Sequence, residues 1–442
     1  MRQPFHAGRG AFCLAALLPF AAHAGLSLDE ALARHRDLLQ PNTADAATLT
    51  SFLPNDATPD GLLAAGGGTG ETLPPLLRPM LPGDGGLQWT RRGASGEGLQ
   101  WRIGAGWRDT DAHSFSLDGS ELSLPLGPGR AYASVQRRAW GPSWVGSLLL
   151  DSAAPAIPSI GWRKTAPTRF ETPWLSWLGP WSADVFFGEL SGHVQPEHPK
   201  LIGMRFQFMP LPDLELGVSR SIEWGGSGRP QSLSTLWQAL LGHDNPVNAA
   251  GEEEEPGNQL GGFDARYTWR AAGGQTWSLY AQAIGEDEAN GLPTKYLGSI
   301  GIDTAFQWRG ASMRLFLETA DTVAGGFSGS PFPGVAYRHH IYKQGYTEQG
   351  KSLGFPAGGD VNLTSLGLLV ERGALSAMLM LHSGRAHEQA QFYAPAGSLT
   401  GADATVAWRI DTNWRIGAQV DSWHDPEGSQ LRGQLFVQYR MP

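Results

Sequence analysis

Leu99-Gln100-Trp101-Arg102-Ile103-Gly104-Ala105-Gly106-Trp107 is the stretch that decides the fold: each odd position is apolar and each even one is polar or glycine. A repeat of two puts alternate side chains on opposite faces of a strand. The same alternation returns along the chain. Met204, Phe206 and Phe208 alternate with Arg205 and Gln207, and Ala265, Tyr267 and Trp269 with Arg266, Thr268 and Arg270. Trp277, Leu279, Ala281 and Ala283 alternate with Ser278, Tyr280 and Gln282. Toward the C-terminus the apolar sets are Ala404, Val406, Trp408 and Ile410, then Trp414, Ile416, Ala418 and Val420, then Leu435, Val437 and Tyr439. Each segment reads as a half-buried strand with one greasy and one polar face.

The residues on the polar face separate two architectures. A soluble sandwich or propeller turns that face to water and fills it with Lys, Glu and Thr. Here it holds Arg, Gln and Gly, and Lys occurs only at 164, 200, 295, 343 and 351. Trp, Tyr and Phe gather near strand ends, as in the aromatic girdles of membrane barrels. The chain is therefore expected to be all-β, a transmembrane antiparallel β-barrel over residues 83–442. With strands of roughly 10 residues and connections of similar length, that span holds about 18 strands, or 16. No apolar run after residue 24 is long enough for a membrane-spanning helix.

The N-terminal part has a different texture. Residues 1–24 carry Arg2 and Arg9, the apolar run Ala11–Ala22, and Ala22-His23-Ala24 before Gly25, the pattern of a cleaved secretory signal peptide. Its removal would take the formal charge from −9 to −11 and remove Cys13, the single cysteine, leaving no disulfide and no thiolate metal site. Residues 25–82 are expected to form a small periplasmic helical and linker segment. Ser27-Leu28-Asp29-Glu30 has capping-box spacing and is followed by Leu28, Ala31, Leu32, His35, Leu38 and Leu39 at helical spacing. A second short helix is expected over Asp45–Leu53, then the Gly-rich Gly66–Gly70 and the Pro-rich Leu73–Pro82.

Chemistry is sparse in this sequence. Negative charge without a basic block argues against nucleic acid. There is no G-x-S-x-G, H-E-x-x-H or Walker A stretch, and no cofactor or metal is implied. His339-His340, near Tyr337, Tyr342 and Tyr346, reads as a boundary or loop cluster, and Glu252–Glu255 as a solvated loop tip. Candidate ligand contacts are Trp140, Trp144, Trp224, Arg229, Asp244, Asn245 and Arg266, because indole faces stack on sugars while Arg, Asp and Asn hold hydroxyl and acid groups. A lumen charge network is expected from Arg205, Asp264, Arg314, Glu318, Glu286, Asp287 and Glu288. Most Trp residues, Trp174, Trp177 and Trp181 among them, read as interfacial anchors.

Several blocks resemble, in order, the Wzi family of outer-membrane capsule-assembly proteins. They include Trp140-Gly141-Pro142-Ser143-Trp144-Val145-Gly146-Ser147, Pro173-Trp174-Leu175-Ser176-Trp177, Trp224-Gly225-Gly226-Ser227-Gly228-Arg229-Pro230 and Gly257-Asn258-Gln259-Leu260-Gly261-Gly262-Phe263-Asp264-Ala265-Arg266. Gly285-Glu286-Asp287-Glu288, Phe316-Leu317-Glu318, Ala320-Asp321-Thr322 and Gly345-Tyr346 continue the likeness, which is closest over roughly residues 135–355. The resemblance implies an 18-stranded barrel with a lumen closed by side chains and loops. It also implies a non-enzymatic, lectin-like role in retaining capsular or related extracellular polysaccharide at the cell surface, with outer-membrane lipid around it and the polysaccharide export machinery as a possible partner. The alternative is a diffusion porin for small anionic or sugar solutes. An outer-membrane hydrolase is the third reading.

Overall fold

The computed structural model describes residues 26–40, 49, 52–53, 62–69, 85–95, 98–108, 115–241, 257–289, 292–326 and 329–441. Residues 1–24 and most of the expected helix Asp45–Leu53 lie outside them. Phe52–Leu53, within that expected helix, is instead a two-residue strand paired with Ala139–Trp140.

Among the described residues, eighteen antiparallel strands close into one barrel. They are β1 Leu62–Thr69, β2 Gly85–Ser95, β3 Leu99–Arg108, β4 Ser120–Leu126 (with the outlying piece Phe115–Ser116 on the same partner), β5 Gly129–Gln136 and β6 Ile157–Arg169. Next come β7 Pro180–Glu189, β8 Lys200–Leu211, β9 Leu214–Trp224, β10 Gly257–Arg270, β11 Thr276–Ala289 and β12 Leu292–Trp308. The series ends with β13 Ala311–Asp321, β14 Val361–Arg372, β15 Leu375–Ala386, β16 Gly397–Arg409, β17 Trp414–Asp425 and β18 Gly428–Arg440. Connections at one end are mostly tight, as at Trp308–Ala311 and Arg372–Leu375. The opposite end carries the long loops, including 137–156 and 322–360.

The barrel starts earlier than the sequence pattern indicates. β1 lies in the stretch read as linker, yet it closes the barrel, with Ala65 opposite Val437 of β18 on one side and Leu87 of β2 on the other. Its Leu-Leu-Ala-Ala-Gly-Gly-Gly-Thr sequence shows no alternation. Closure depends on main-chain hydrogen bonds, which small residues supply as well as large ones.

The alternation is resolved greasy side out. Val218, Phe263, Leu279, Ile300, Leu317, Leu366, Leu381 and Val406 are exposed on the outer wall, whereas Arg205, Asp264, Gln282, Asp303, Arg314 and His382 are buried on the inner one. That is the reverse of a soluble β protein and the arrangement a bilayer requires. Around the tight-turn end runs a belt of aromatics. Phe170 stacks on Trp181 at 4.7 Å and Trp414 meets Tyr439 at 4.7 Å. Trp174 and Trp177 are exposed beside them, on the short 3-10 turn Ser176–Leu178 and its approach.

A second regularity lies on the inner wall. Large aromatics stand directly opposite glycines on the neighbouring strand: Tyr132 opposite Gly161, Phe186 opposite Gly203, Tyr280 opposite Gly301, Phe316 opposite Gly367, Trp423 opposite Gly401 and Phe436 opposite Gly417. Each ring lies flat over the space a side chain would take; a Cβ on Gly367 would meet Phe316 at 1.9 Å. Covering a strand glycine with a cross-strand ring restores the packing that glycine lacks.

The helix α1, Leu28–Leu39, forms as the Ser27–Glu30 box predicts, with the reciprocal hydrogen bonds in place. It sits inside the tight-turn end of the barrel. Asp29 pairs with Arg415 at 2.5 Å, Arg36 with Glu371 at 2.6 Å, and Arg270 donates to the Leu39 carbonyl at 3.0 Å.

Two outcomes test this wall. Gly367→Ala is expected to lower stability by about 1–3 kcal/mol through displacement of Phe316. Leu279→Arg, a charge on the outer face, is expected to cost about 2–4 kcal/mol in lipid. Both are read from urea unfolding in vesicles, with Ser429→Arg at the loop end as the unaffected control.

Candidate functional site

The lumen is built around two carboxylates on neighbouring strands. Asp303 of β12 receives Arg266 of β10 at 2.8 Å, Arg314 of β13, and the indole N–H of Trp144 at 2.9 Å. Glu318 of β13 accepts the backbone N–H groups of Trp144 at 2.8 Å and Val145 at 3.0 Å, the Ser143 hydroxyl, and the Tyr280 hydroxyl at 3.0 Å. Gln282 of β11 accepts from Leu148 N at 2.7 Å and donates to the Trp140 carbonyl at 2.8 Å. These bonds hold the 137–156 segment across the lumen, because beyond the short Ala139–Trp140 pairing the backbone at 141–148 lies outside the barrel's strand ladder and is met by wall side chains instead.

Helix α1 closes on this segment from the tight-turn end. Arg34 donates to the carbonyls of Gly141 at 3.1 Å and Pro142 at 3.3 Å, and to that of Ser143. The Trp144 ring stacks on Phe316 at 5.5 Å, with the guanidinium groups of Arg34, Arg266 and Arg314 at 5.4–5.9 Å from its centroid. Arg314 Nε donates to His35 Nδ1 at 3.1 Å, which assigns the proton to Nε2 and makes that atom the donor to Ser312 at 2.8 Å. Burial, with the Arg314 charge beside it, pushes His35 down from 6.5 to about 4.

From the other end the 322–360 loop folds inward. Tyr337 donates its hydroxyl to the Leu148 carbonyl at 2.6 Å and its N–H to Glu286 at 2.9 Å, and Tyr346 bonds Ser221 at 2.7 Å. Ties to the 190–199 loop make a cap: Lys343 N donates to the Gln195 carbonyl at 2.9 Å, and Gln349 N to that of Ser191 at 3.0 Å. Glu348 accepts from Ser191 N at 2.8 Å; burial pushes its carboxyl up to about 7 against those bonds. Outward, the cap exposes Arg338, His340 and Lys343, and Phe332 is exposed with the Lys295 ammonium 5.5 Å from its ring.

The sequence-derived ligand candidates fare differently. Trp140 and Trp144 are buried, at 1% and 2% exposure, and neither offers a face to a sugar. Arg266 is likewise a lumen residue, paired with Asp303 and bonded to the Pro142 carbonyl. All three are corrected from ligand contacts to plug and wall residues; their residue types suit either use, and only the placement of 137–156 inside the barrel decides. Trp224 is buried on the outer wall, Arg229 is partly exposed in the following turn, and Asp244 and Asn245 lie outside the described residues.

Of the lumen set, Arg205 and Asp264 form a bidentate pair at 2.7 and 2.9 Å, and Arg314, Glu318 and Glu286 stand as given above. The side chains of Asp287 and Glu288 lie outside the described residues, as does Glu252–Glu255. His339 and His340 meet ring to ring at 4.7 Å in the cap, and no metal-binding group of three or more acidic, His or Cys side chains occurs among the described residues. Asp303 and Gln282 were not singled out from sequence, although each alternates with outward apolar neighbours, Ile300 and Ile302 for the first and Ala281 and Ala283 for the second. Arg34 and His35 gave no such signal, since a helix face carries no sign of which surface it will meet.

Comparison with known proteins falls in line with this geometry. The sequence model of the family described as capsule assembly protein Wzi matches residues 84–431. The chain belongs to the Wzi family. Over 224 residues it is 38% identical to an uncharacterized 55.8 kDa protein in the cps region of Klebsiella pneumoniae, a match that covers 51% of this chain and 44% of that protein. The chain thus spans less than half the length of that curated relative. Among solved structures it is similar to Wzi of Escherichia coli, described as an outer-membrane protein involved in group 1 capsule assembly and a carbohydrate-binding β-barrel. The TM-score is 0.77 at 22% identity, over 95% of this chain and 100% of that one. The likeness establishes the barrel fold for this Wzi-family chain.

The plug chemistry predicts two behaviours. Asp303→Ala leaves Arg266 and Arg314 buried without their shared counter-charge, an expected loss of about 3–5 kcal/mol, and stepwise conductance should appear in planar bilayers where the unsubstituted protein shows none. His35 binds its proton more weakly in the fold than in the unfolded chain, so stability should fall as pH drops from 6.5 toward 4. Urea midpoints over that range should show the fall for the unsubstituted protein and lose this component in His35→Gln.

Proposed function

We propose that this Wzi-family barrel is a non-enzymatic outer-membrane protein that binds capsular or a related exported polysaccharide and holds it at the cell surface. The observation that carries the reading is the plug: a barrel whose lumen is crossed by a hydrogen-bonded segment leaves its loop cap as the surface able to act. The family's capsule-assembly role and the carbohydrate binding described for the Escherichia coli neighbour support the choice of ligand. Short turns of outer-membrane barrels face the periplasm and long loops the outside, so the cap meets the polymer. Helix α1 and the tight turns then face the export machinery. This placement presupposes export, consistent with residues 1–24 as a cleaved signal peptide.

The contact face we assign is Arg338, His340 and Lys343 with the Lys295–Phe332 pair. The exported chain, at net charge −11 once residues 1–24 are removed, attracts no acidic polymer in bulk, so local cations must do it. An exposed ring beside an ammonium suits a sugar's C–H face together with its carboxylate or hydroxyls. The plug speaks against the diffusion porin, which needs an open lumen.

One arrangement resembles catalytic machinery. Ser365 bonds His382 at 2.7 Å, and His382 bonds Asp403 at 2.7 Å, on three successive strands. All three face the lumen and are buried, Ser365 at 2% exposure, where a polymer chain does not reach. We read them as wall hydrogen bonding. Ser365→Ala is therefore expected to leave polymer length and retention unchanged.

The decisive experiment is a deletion strain assayed for polysaccharide in cell-bound and supernatant fractions separately. Normal total polymer shifted to the supernatant is the expected result, and an unchanged partition overturns the proposal. In purified protein, Arg338→Ala with Lys343→Ala should weaken polymer binding by about tenfold or more, since hydrogen bonds to charged groups contribute about 1.5–3 kcal/mol each.

A further inference from the structure

A second helix, α2 (Leu233–Leu241), follows β9 and packs on the outside of the barrel. Its Ala239, Leu236 and Leu240 cover the outward-facing side chains Ile202, Ile222 and Trp224. The helix descends the wall from the loop end. Gln231, just before it, bonds the Gly226 carbonyl at 2.9 Å, and its last turn reaches Arg220, four residues down β9 from Trp224. Four strand residues and nine helical ones both span about 13 Å, so the helix lies along the strand.

Its free face carries an apolar stripe, flanked by the exposed Ser234 and the half-buried Gln238. Leu233, Trp237 and Leu241, spaced by four, are 84%, 61% and 51% exposed. The stripe continues the barrel's own outer belt, since Val218 and Phe263, one step further down the wall, are exposed too. Arg220 also points outward. It donates to the carbonyls of Leu240 at 2.8 Å and Ala239 at 3.1 Å and to the Gln259 side chain, so helix-end carbonyls take the place of water around it. Alongside, a groove of about 660 Å³ bordered by Ile103, Leu122, Ile160 and Phe187 adds apolar surface to the same wall.

We propose that α2 is embedded in the membrane leaflet on the loop side, with Leu233, Trp237 and Leu241 against lipid acyl chains and Arg220 fastening the helix C-terminus to the wall. A helix with such a stripe left to water would be a large aggregation-prone patch; against acyl chains it widens the barrel's grip on its leaflet. The guanidinium at that depth is then neutralised by the helix end and leaves no unpaired charge facing hydrocarbon. The inference rests on the barrel crossing a membrane, and the controls separate the two claims.

The test uses the full chain with Cys13→Ser, refolded into phosphatidylcholine vesicles with single spin labels at Leu233→Cys, Trp237→Cys and Leu241→Cys. Val218→Cys serves as the wall reference and Ser429→Cys as the loop-end reference; folding is checked by heat-modifiable gel mobility. Accessibility to oxygen relative to a water-soluble nickel chelate should be several-fold higher at 237 and 241 than at 429, equal to that at 218, and should rise from 233 to 241. Water-like values at 237 and 241 with lipid-like values at 218 overturn the embedding of α2. Water-like values at 218 as well overturn the membrane reading itself. Dipolar broadening between labels, the mark of a second copy seated on α2, also overturns the proposal.

Discussion

Everything inside this barrel is arranged around Asp303, a carboxylate held between two guanidiniums and an indole N–H in a fully buried position. A lone buried charge is untenable, and a buried pair is tolerated only when its remaining hydrogen-bonding capacity is satisfied. Asp303 meets that condition by recruiting Arg314 from the adjacent strand β13, Arg266 from β10 two strands away and Trp144 from the crossing segment. The wall and the plug thus share one electrostatic knot, and neither is satisfied without the other. Glu318 extends the knot by supplying acceptors to backbone N–H groups that have no strand to pair with.

The same constraint explains why the plug is made of three separate pieces of chain. Segment 137–156 offers carbonyls as well as N–H groups. The carbonyls of Gly141, Pro142 and Ser143 are met by Arg34 from α1, and that of Leu148 by Tyr337 from the 322–360 loop. Each piece brings the donors that another lacks. Aromatic rings laid over facing glycines cover further parts of the inner wall, among polar strand faces that in a porin would line water.

Outside, the chemistry is inverted. The wall meets hydrocarbon with Val, Leu, Ile and Phe, the tight-turn rim with stacked aromatics, and one guanidinium on that wall, Arg220, is covered by the end of a helix. At the loop end the cap presents cations and the exposed Phe332 ring to water. Binding at that end, and none of the transport an open barrel provides, is what this distribution favours.

Much of this was legible in the residues. Alternation with period two, its Arg/Gln/Gly polar face and the placement of aromatics establish a membrane barrel of about the right strand number, because the pleat ties position parity to wall face. The Ser27–Glu30 box establishes α1, because capping is a local matter. The inward placement of Arg205 and Asp264 follows from both lying on the polar parity, while their pairing across β9 is set by the tertiary structure. What only the tertiary structure decided is which polymer segments turn inward. Trp144 and Arg266 look like sugar ligands, the Gly-rich Leu62–Thr69 looks like a linker, and Leu233–Leu241 carries no sequence sign of the wall it lies on. Their roles depend on contacts with residues tens to hundreds of positions away. Parity along a strand reports its own two faces, and carries no information about which distant segment will fill the space those faces enclose.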